Sequence, residues 1–143
     1  MPPPRDGTLT DLTPQELYRI LQLRAEVFVV EQAAAYLDPD GRDLEPTARQ
    51  IWFEDDHGDV VATARVLDDG DVRRIGRIAT RADHRGRGLA GRLLKYFVAT
   101  TAAPWRLDAQ SYLVTWYESF GFEVDGPEYD DEGIPHVPMV RRG

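Results

Sequence analysis

The 143-residue chain contains no cysteine, only three histidines (His57, His84 and His136) and a single lysine, Lys95. The missing cysteines exclude disulfide frameworks, thiolate zinc sites and thiol nucleophiles together. The histidines stand too far apart in sequence to form a ligand cluster, so no metal is expected. Long apolar runs are also absent. The opening MPPPRDG lacks the hydrophobic stretch of a signal peptide, and nothing approaches the length of a membrane span. The expectation is a soluble, cytoplasmic protein with no membrane partner. At 143 residues it has enough interior for one core and no room for two, and residues 1–7 are expected to form a flexible tail.

With one lysine, positive charge rests almost wholly on arginine, which never titrates in the working range. Acids outnumber bases 25 to 17, for a net charge of −8, but the distribution is uneven. Between Arg73 and Arg92 seven arginines meet only Asp83, so this window carries +6 and the remainder −14. A basic island in an acidic chain points to a small, strongly anionic ligand. Nucleic acid, which calls for a wider basic face, is not expected as a partner.

Thr13-Pro14-Gln15-Glu16 is a capping box with proline at the first helical position, so a helix starts there. Leu17, Leu21, Arg24, Phe28 and Glu31 then recur at helical spacing, which places two charges, Arg24 and Glu31, on the apolar face. Residues 33–49 lose periodicity and read as a loop. Strands follow over 50–54, 60–67 and 72–80, separated by Asp-rich and Gly-rich turns, and form an antiparallel meander. Leu89, Leu93, Leu94, Phe97 and Val98 mark an amphipathic helix that ends before Pro104. A short strand over 105–109 precedes a helix over 112–120, capped by Ser111 and closed by Gly121. The last strands are expected over 122–124 and 136–140, joined by an acidic segment around Asp130-Asp131-Glu132-Gly133. A further strand at Thr8–Leu12 would precede the first helix. The fold class is a mixed α/β domain.

Arg85-Gly86-Arg87-Gly88-Leu89-Ala90 lies between the third strand of the meander and the amphipathic helix. Glycines there let backbone N–H groups approach a ligand, and the helix start adds its positive dipole end, so the segment is an anion cradle suited to a pyrophosphate. It lacks the Gly-Lys-Ser/Thr ending of a Walker loop and the glycine spacing of a dinucleotide fingerprint.

The pattern of Arg85, Gly88 and Ala90 resembles the acyl-CoA pyrophosphate loop of the GNAT superfamily of N-acetyltransferases. Downstream, Tyr117-Glu118-Ser119-Phe120-Gly121-Phe122 is similar to a second element of that superfamily. Further segments are similar to its ElaA-like branch: Leu23 to Gln32, Asp40-Gly41-Arg42-Asp43, Ala64-Arg65, Ile75 to Ala79, Ala109-Gln110 and Gly133 to His136. The likeness runs from Leu9 to Met139. It departs where Ala34-Ala35 replace the branch's usual Cys-Pro and where Gln50 stands in place of a frequent His, so no role of those side chains transfers.

The resemblance implies a single mixed-sheet acyltransferase domain, its central mostly antiparallel sheet flanked by helices and two splayed strands holding acyl-CoA. It implies acetyl transfer from acetyl-CoA, with no metal, to a primary amine of a small molecule or peptide. On that basis Ile78, Ala79 and Thr80 would hold the pantetheine arm, with an amide near Ala79 facing the thioester carbonyl. Arg85, Gly86, Arg87, Gly88, Leu89 and Ala90 would hold the pyrophosphate, with Arg87 or Arg92 reaching further phosphate oxygens. Tyr117 takes the position of the general acid for the departing thiolate. No carboxylate stands on the strand 74–80, which leaves Glu31 and His136 as alternatives for the base. Arg24, Glu31, Arg65 and Arg77 are expected to share one polar network beside Phe28 and the acceptor site. The acidic stretches Asp38–Glu45 and Asp125–Glu132 would favour a cationic acceptor. Two other readings stand beside this one: a non-catalytic acyl-CoA-binding module, and an acyl-homoserine-lactone-synthase-like enzyme, whose pattern is echoed by Arg24, Phe28, Asp40, Asp43 and Arg65. Either a monomer or a homodimer is compatible with the chain.

Overall fold

A computed structural model describes residues 2–143. Met1, the first residue of the expected tail, lies outside the described residues. Within the rest of that stretch the tail expectation is corrected, because β1 (Arg5–Thr8) pairs antiparallel with β2 (Arg49–Glu54). Side chains secure it, since Arg5 bridges Glu16 and Glu54, and Asp6 takes both Arg49 and the Tyr96 hydroxyl. The strand expected at Thr8–Leu12 therefore sits earlier. The Thr8 amide and hydroxyl both donate to the Asp11 carboxylate and turn the chain toward the first helix.

The capping box forms as expected, with the Glu16 amide donating to Thr13 Oγ1 and the Thr13 amide donating to Glu16 Oε1. Helix α1 runs over Pro14–Arg24, and the same coil then widens into a π-helical segment, Ala25–Glu31. The i to i+5 bonding shifts the phase of the stripe. Arg24 is fully buried, whereas the Glu31 side chain is 41% exposed, so only the first of the two charges lies in the interior.

β2, β3 (Val60–Asp68) and β4 (Arg73–Thr80) form the meander. Helix α2 (Leu89–Thr100) crosses to β5 (Trp105–Gln110), which lies parallel to β4. A 3-10 turn over Ser111–Leu113 leads into α3 (Val114–Glu118). The Ser111 cap is a correction: its hydroxyl donates to Glu128, and no side chain caps the helix, which ends two residues short of Phe120. Gly121 adopts φ +89° at the close, a conformation that favours glycine. β6 (Glu123–Val124), β7 (Tyr129–Asp131) and β8 (Ile134–Arg141) complete the sheet. β7 lies in the segment expected to be an acidic connection, where Tyr129 pairs opposite His136 around the Glu132-Gly133 turn. The strand order is β1-β2-β3-β4-β5-β8-β6, with β7 also on β8.

Helices α2 and α3 pack on one face of this sheet. Leu89, Leu93, Leu94 and Phe97 meet Ile51, Ala64, Ile75, Leu107 and Met139 there, beside Tyr117. On the opposite face α1 seals only the β2–β4 half, with Ile20, Leu23 and Val27 against Trp52, Val60 and Ala79. The α1-side face of β5 and β8 carries Arg106, Asp108, Gln110 and His136 and lines an open cleft. Phe97, without exposed surface, anchors the closed face. Phe97→Ala is expected to lower stability by about 3–5 kcal/mol, read by urea denaturation. Tyr18→Ala, at a mostly exposed position, should stay within about 0.5 kcal/mol of the parent.

Candidate active site

β4 and β5 are joined over only two residue pairs, Arg73 with Trp105 and Arg74 with Arg106, and then part. Beyond that point β4 pairs only with β3, and a bulge sets Arg77 and Ile78 together opposite Ala64. Arg77 holds φ +52°, which costs an arginine on the order of 1–2 kcal/mol. The parting opens a cleft of about 1000 Å³. Ile78, Ala79 and Thr80 line one wall, Leu107 and Gln110 another, and the loop from Arg85 to Ala90 lies at one end. The Arg81 amide donates to Val61 across β3, so strand alternation directs the backbone groups of Thr80 into the gap. Ala79 pairs with Thr63, which turns its own amide toward β3 and leaves the backbone groups of its neighbours on the side of the gap.

At the loop, Gly86 and Gly88 take φ +78° and +75°, and a Cβ added to either would meet nothing within 4 Å. Their need is conformational, and the space in front of them is open. Among the described residues no side chain caps α2, so its first-turn N–H groups are left as donors without a side-chain partner beside Gly88. The loop arginines are engaged with protein instead. Arg85 donates from Nε to the Thr80 carbonyl and lies 2.6 Å from the Glu31 carboxylate. Arg87 donates to the Asp83 carbonyl, and Arg92 packs over Phe53 and donates to the Pro2 carbonyl. The unmatched groups of the cradle are its backbone amides.

The expected polar network forms with three of its four members. Arg24 donates to Asp38 (2.8 Å) and Asp43 (2.7 Å). Arg65 grips Asp40 with both terminal nitrogens, at 2.7 and 2.9 Å, and Arg77 lies 2.8 Å from Asp38. Gln50 donates to Asp43, and the Tyr36 hydroxyl donates to Asp38. Glu31 is absent from this cluster; the widened helix carries it outward to Arg85. Phe28, half-buried, packs beside α1 and lines the cleft. The cluster's carboxylates come from the loop expected to draw a cationic acceptor, and they are matched by arginine. Of the second acidic stretch, Asp125 pairs with Arg106 and Arg142, and Glu128 accepts from Ser111.

Tyr117 and His136 both line the cleft. Tyr117 is buried, and its hydroxyl has no hydrogen-bond partner among the described residues. Burial, with a smaller contribution from Tyr112, pushes its phenol up to about 12. His136 approaches from β8, its Nδ1 2.8 Å from the Ile134 carbonyl and its ring stacked on Tyr129. Sequence reasoning missed Tyr129, Asp108 and Arg74 as cleft residues. Only the i, i+2 spacing of Asp108 and Gln110 along one strand face signalled them. Among the described residues no group of acidic or histidine side chains is placed to hold a metal, and no helix is long and apolar enough to cross a membrane.

The arginine cluster governs stability. The Arg65 hydrogen bond, ahead of the opposing effect of burial, holds Asp40 well below the usual carboxylate range. Burial alone would raise Asp43, but Arg24, Arg65 and Gln50 outweigh it and keep the carboxyl low. Such depressed groups stabilise the fold fully above their unfolded values, near 4, and the contribution is lost as pH falls toward the folded ones. Urea midpoints should therefore drop between pH 5 and pH 3, less steeply in Asp43→Asn. Arg24→Met, which takes from the buried carboxylates of Asp38 and Asp43 their fully buried arginine partner, should cost about 3–5 kcal/mol at pH 7.

The family model described as an acetyltransferase (GNAT) domain matches residues 8–142. UPF0039 protein Rv2851c of Mycobacterium tuberculosis is 48% identical over 138 residues, covering 93% of this chain and 88% of the relative. Protein ElaA of Escherichia coli is 38% identical over 142 residues, covering 92% and 91%. The crystal structure of an acyl-CoA N-acyltransferase from Pseudomonas aeruginosa superposes with a TM-score of 0.87 at 35% identity, covering 96% of this chain and 98% of that one. The AHL synthase LasI, at 16% identity, TM-score 0.76 and coverage of 97% and 88%, shares the fold alone. The parted strands, the glycine cradle and these likenesses agree: the chain belongs to the GNAT acetyltransferase family, on the branch that includes ElaA.

Proposed function

We propose that this protein transfers an acetyl group from acetyl-CoA to a primary amine of a small molecule or peptide. The observation that carries the proposal is the wedge between β4 and β5, which runs to the unmatched amides of the Gly86–Ala90 segment. An extended thiol ester with a pyrophosphate at one end fits that shape and that donor set. Acetyl-CoA supplies an activated acyl group when bound. Backbone groups of Ile78 and Thr80, with Ala79 between them, would hold its pantetheine arm, and Arg85 through Ala90 its phosphates. The Pseudomonas aeruginosa structure, described as an acyl-CoA N-acyltransferase, supports the same class of chemistry.

In the reaction the amine nitrogen bonds the carbonyl carbon and the carbon–sulfur bond breaks. An alkylammonium loses two protons in becoming an amide nitrogen, and the sulfur gains one. Tyr117 is the acid for the sulfur: its raised phenol stays protonated at neutral pH, and its hydroxyl has no competing partner among the described residues. Glu31 serves the cofactor end through Arg85, so it is poorly placed as the base for an amine.

Thiol release should be followed with acetyl-CoA and a panel of primary amines. Tyr117→Phe should lower kcat by about 100-fold or more and leave the Kd for acetyl-CoA within about twofold. Gly88→Val, forced to φ +75°, should weaken acetyl-CoA binding. Parent-like turnover in the phenylalanine variant removes the acid role. Tight acetyl-CoA binding without thiol release from any amine indicates a non-catalytic binding module.

A further inference from the structure

We infer that His136 is the general base of this site, presenting Nε2 to the acceptor amine, and that Tyr129 is its positioning residue. The inference rests on the amine-transfer reading above. A backbone carbonyl only accepts, so the 2.8 Å contact with Ile134 places the imidazole proton on Nδ1 and leaves the lone pair on Nε2. The ring is held from the side by Tyr129, its cross-strand partner, with centroids 5.8 Å apart and planes at 25°. Burial, and after it the nearby Asp108 carboxylate, pushes the Tyr129 phenol up to about 12, and Asp108 receives Arg74 at 2.9 Å. Arg74 also holds Asp69 across the β3–β4 turn. The Ile134 carbonyl and the Tyr129 ring together hold the imidazole in one orientation.

The other acids of the cleft are accounted for. Asp40 is gripped by Arg65, Asp69 by Arg42 and Arg74, Asp108 by Arg74, and Glu31 by Arg85. Asp131 and Glu132 stand exposed at the tip of the hairpin. β4 contributes no carboxylate at all. The other imidazole of the cleft, His84, has its Nδ1 2.8 Å from Asp83 and 3.5 Å from Arg81, so His136 is the proton acceptor that the β5–β8 wall itself presents. Its position also suits the chemistry. It sits on the face of β5 and β8 left open by α1, whereas Tyr117 belongs to the face packed by α3. An amine arriving over the open face meets the base before it reaches the gap, and the leaving sulfur meets the acid from behind. Nε2 takes one proton from the ammonium and passes it to solvent. The second proton lost by the nitrogen replaces the one that Tyr117 gives to sulfur.

The test uses the full chain with acetyl-CoA and n-butylamine, which is an ammonium ion at pH 7. Titratable groups lining the cleft around His136 are Tyr129, Asp131 and Glu132 from the hairpin, Asp108 with uncharged Gln110 from β5, and Tyr112 from the turn before α3. His136→Gln should lower kcat/KM about 100-fold at pH 7, with the acetyl-CoA Kd and the thermal unfolding midpoint unchanged. The deficit should shrink by about tenfold per pH unit from pH 7 to pH 9, as solvent supplies the neutral amine. Tyr129→Ala should show the same pH-dependent deficit at a smaller size, and Tyr129→Phe, which keeps the stack, should approach the parent. A His136→Gln deficit that stays constant with pH, or no deficit, overturns the assignment. A parent protein that releases no CoA with n-butylamine or any other primary amine overturns the amine-transfer reading itself, and this assignment with it.

Discussion

Two residue pairs hold β4 to β5, and everything functional in this molecule depends on their being so few. Parallel neighbours that separate leave rows of backbone N–H and C=O groups without a ladder. Such groups are costly unless water or a ligand meets them. The fold accommodates this opening by making it a cleft and by placing the uncapped start of α2 at one end. The bulge at Arg77 and Ile78 adds curvature to β4 at the place where its partner is lost. Arg77 tolerates its left-handed backbone because its side chain is held on both flanks, by Asp38 and Asp40 through charge and by the Tyr36 ring.

Charge organises the rest. The chain is strongly acidic, yet its interior and cleft walls are close to balanced, because arginine and aspartate are matched side by side along the loop 38–43 and the strands beneath it. Removing a single member leaves the buried charges around it undercompensated, which is why such clusters resist piecemeal substitution. Most loop arginines in the basic window are likewise paired with carboxylates or carbonyls. Backbone amides and the helix start, rather than free guanidinium groups, are thus the donors the loop leaves for an anion. His136 and Tyr117 stand on opposite faces of one sheet, with the gap between them as the meeting place that the proposed reaction requires.

Much of this architecture was readable from local chemistry. The capping box at Thr13, the three-strand meander, the amphipathic face of α2 and the glycine cradle each rest on short-range rules, and each appears where those rules put it. What escaped depends on long-range partners. No local signal at Ala25–Glu31 marks the π-helical winding that moves Glu31 from the interior to Arg85. β1 and β7 are strands because β2 and β8 offer them edges, not because of their own composition. Ser111 had the right side chain for a cap but found Glu128 first. The aspartates at 38, 40 and 43 read as an acidic stretch open to a cationic acceptor until three arginines from α1, β3 and β4 converged on them.

The central claim is spatial: an acyl-CoA lies in the gap between β4 and β5 with its pyrophosphate on the loop amides. A crystal structure of the protein grown with acetyl-CoA tests it most directly. The predicted result has phosphate oxygens within hydrogen-bond distance of the Gly86–Ala90 amides and the thioester beside Tyr117, at the end of the gap that opens toward His136. Acetyl-CoA bound elsewhere, or in the gap with its thioester remote from Tyr117, would contradict it.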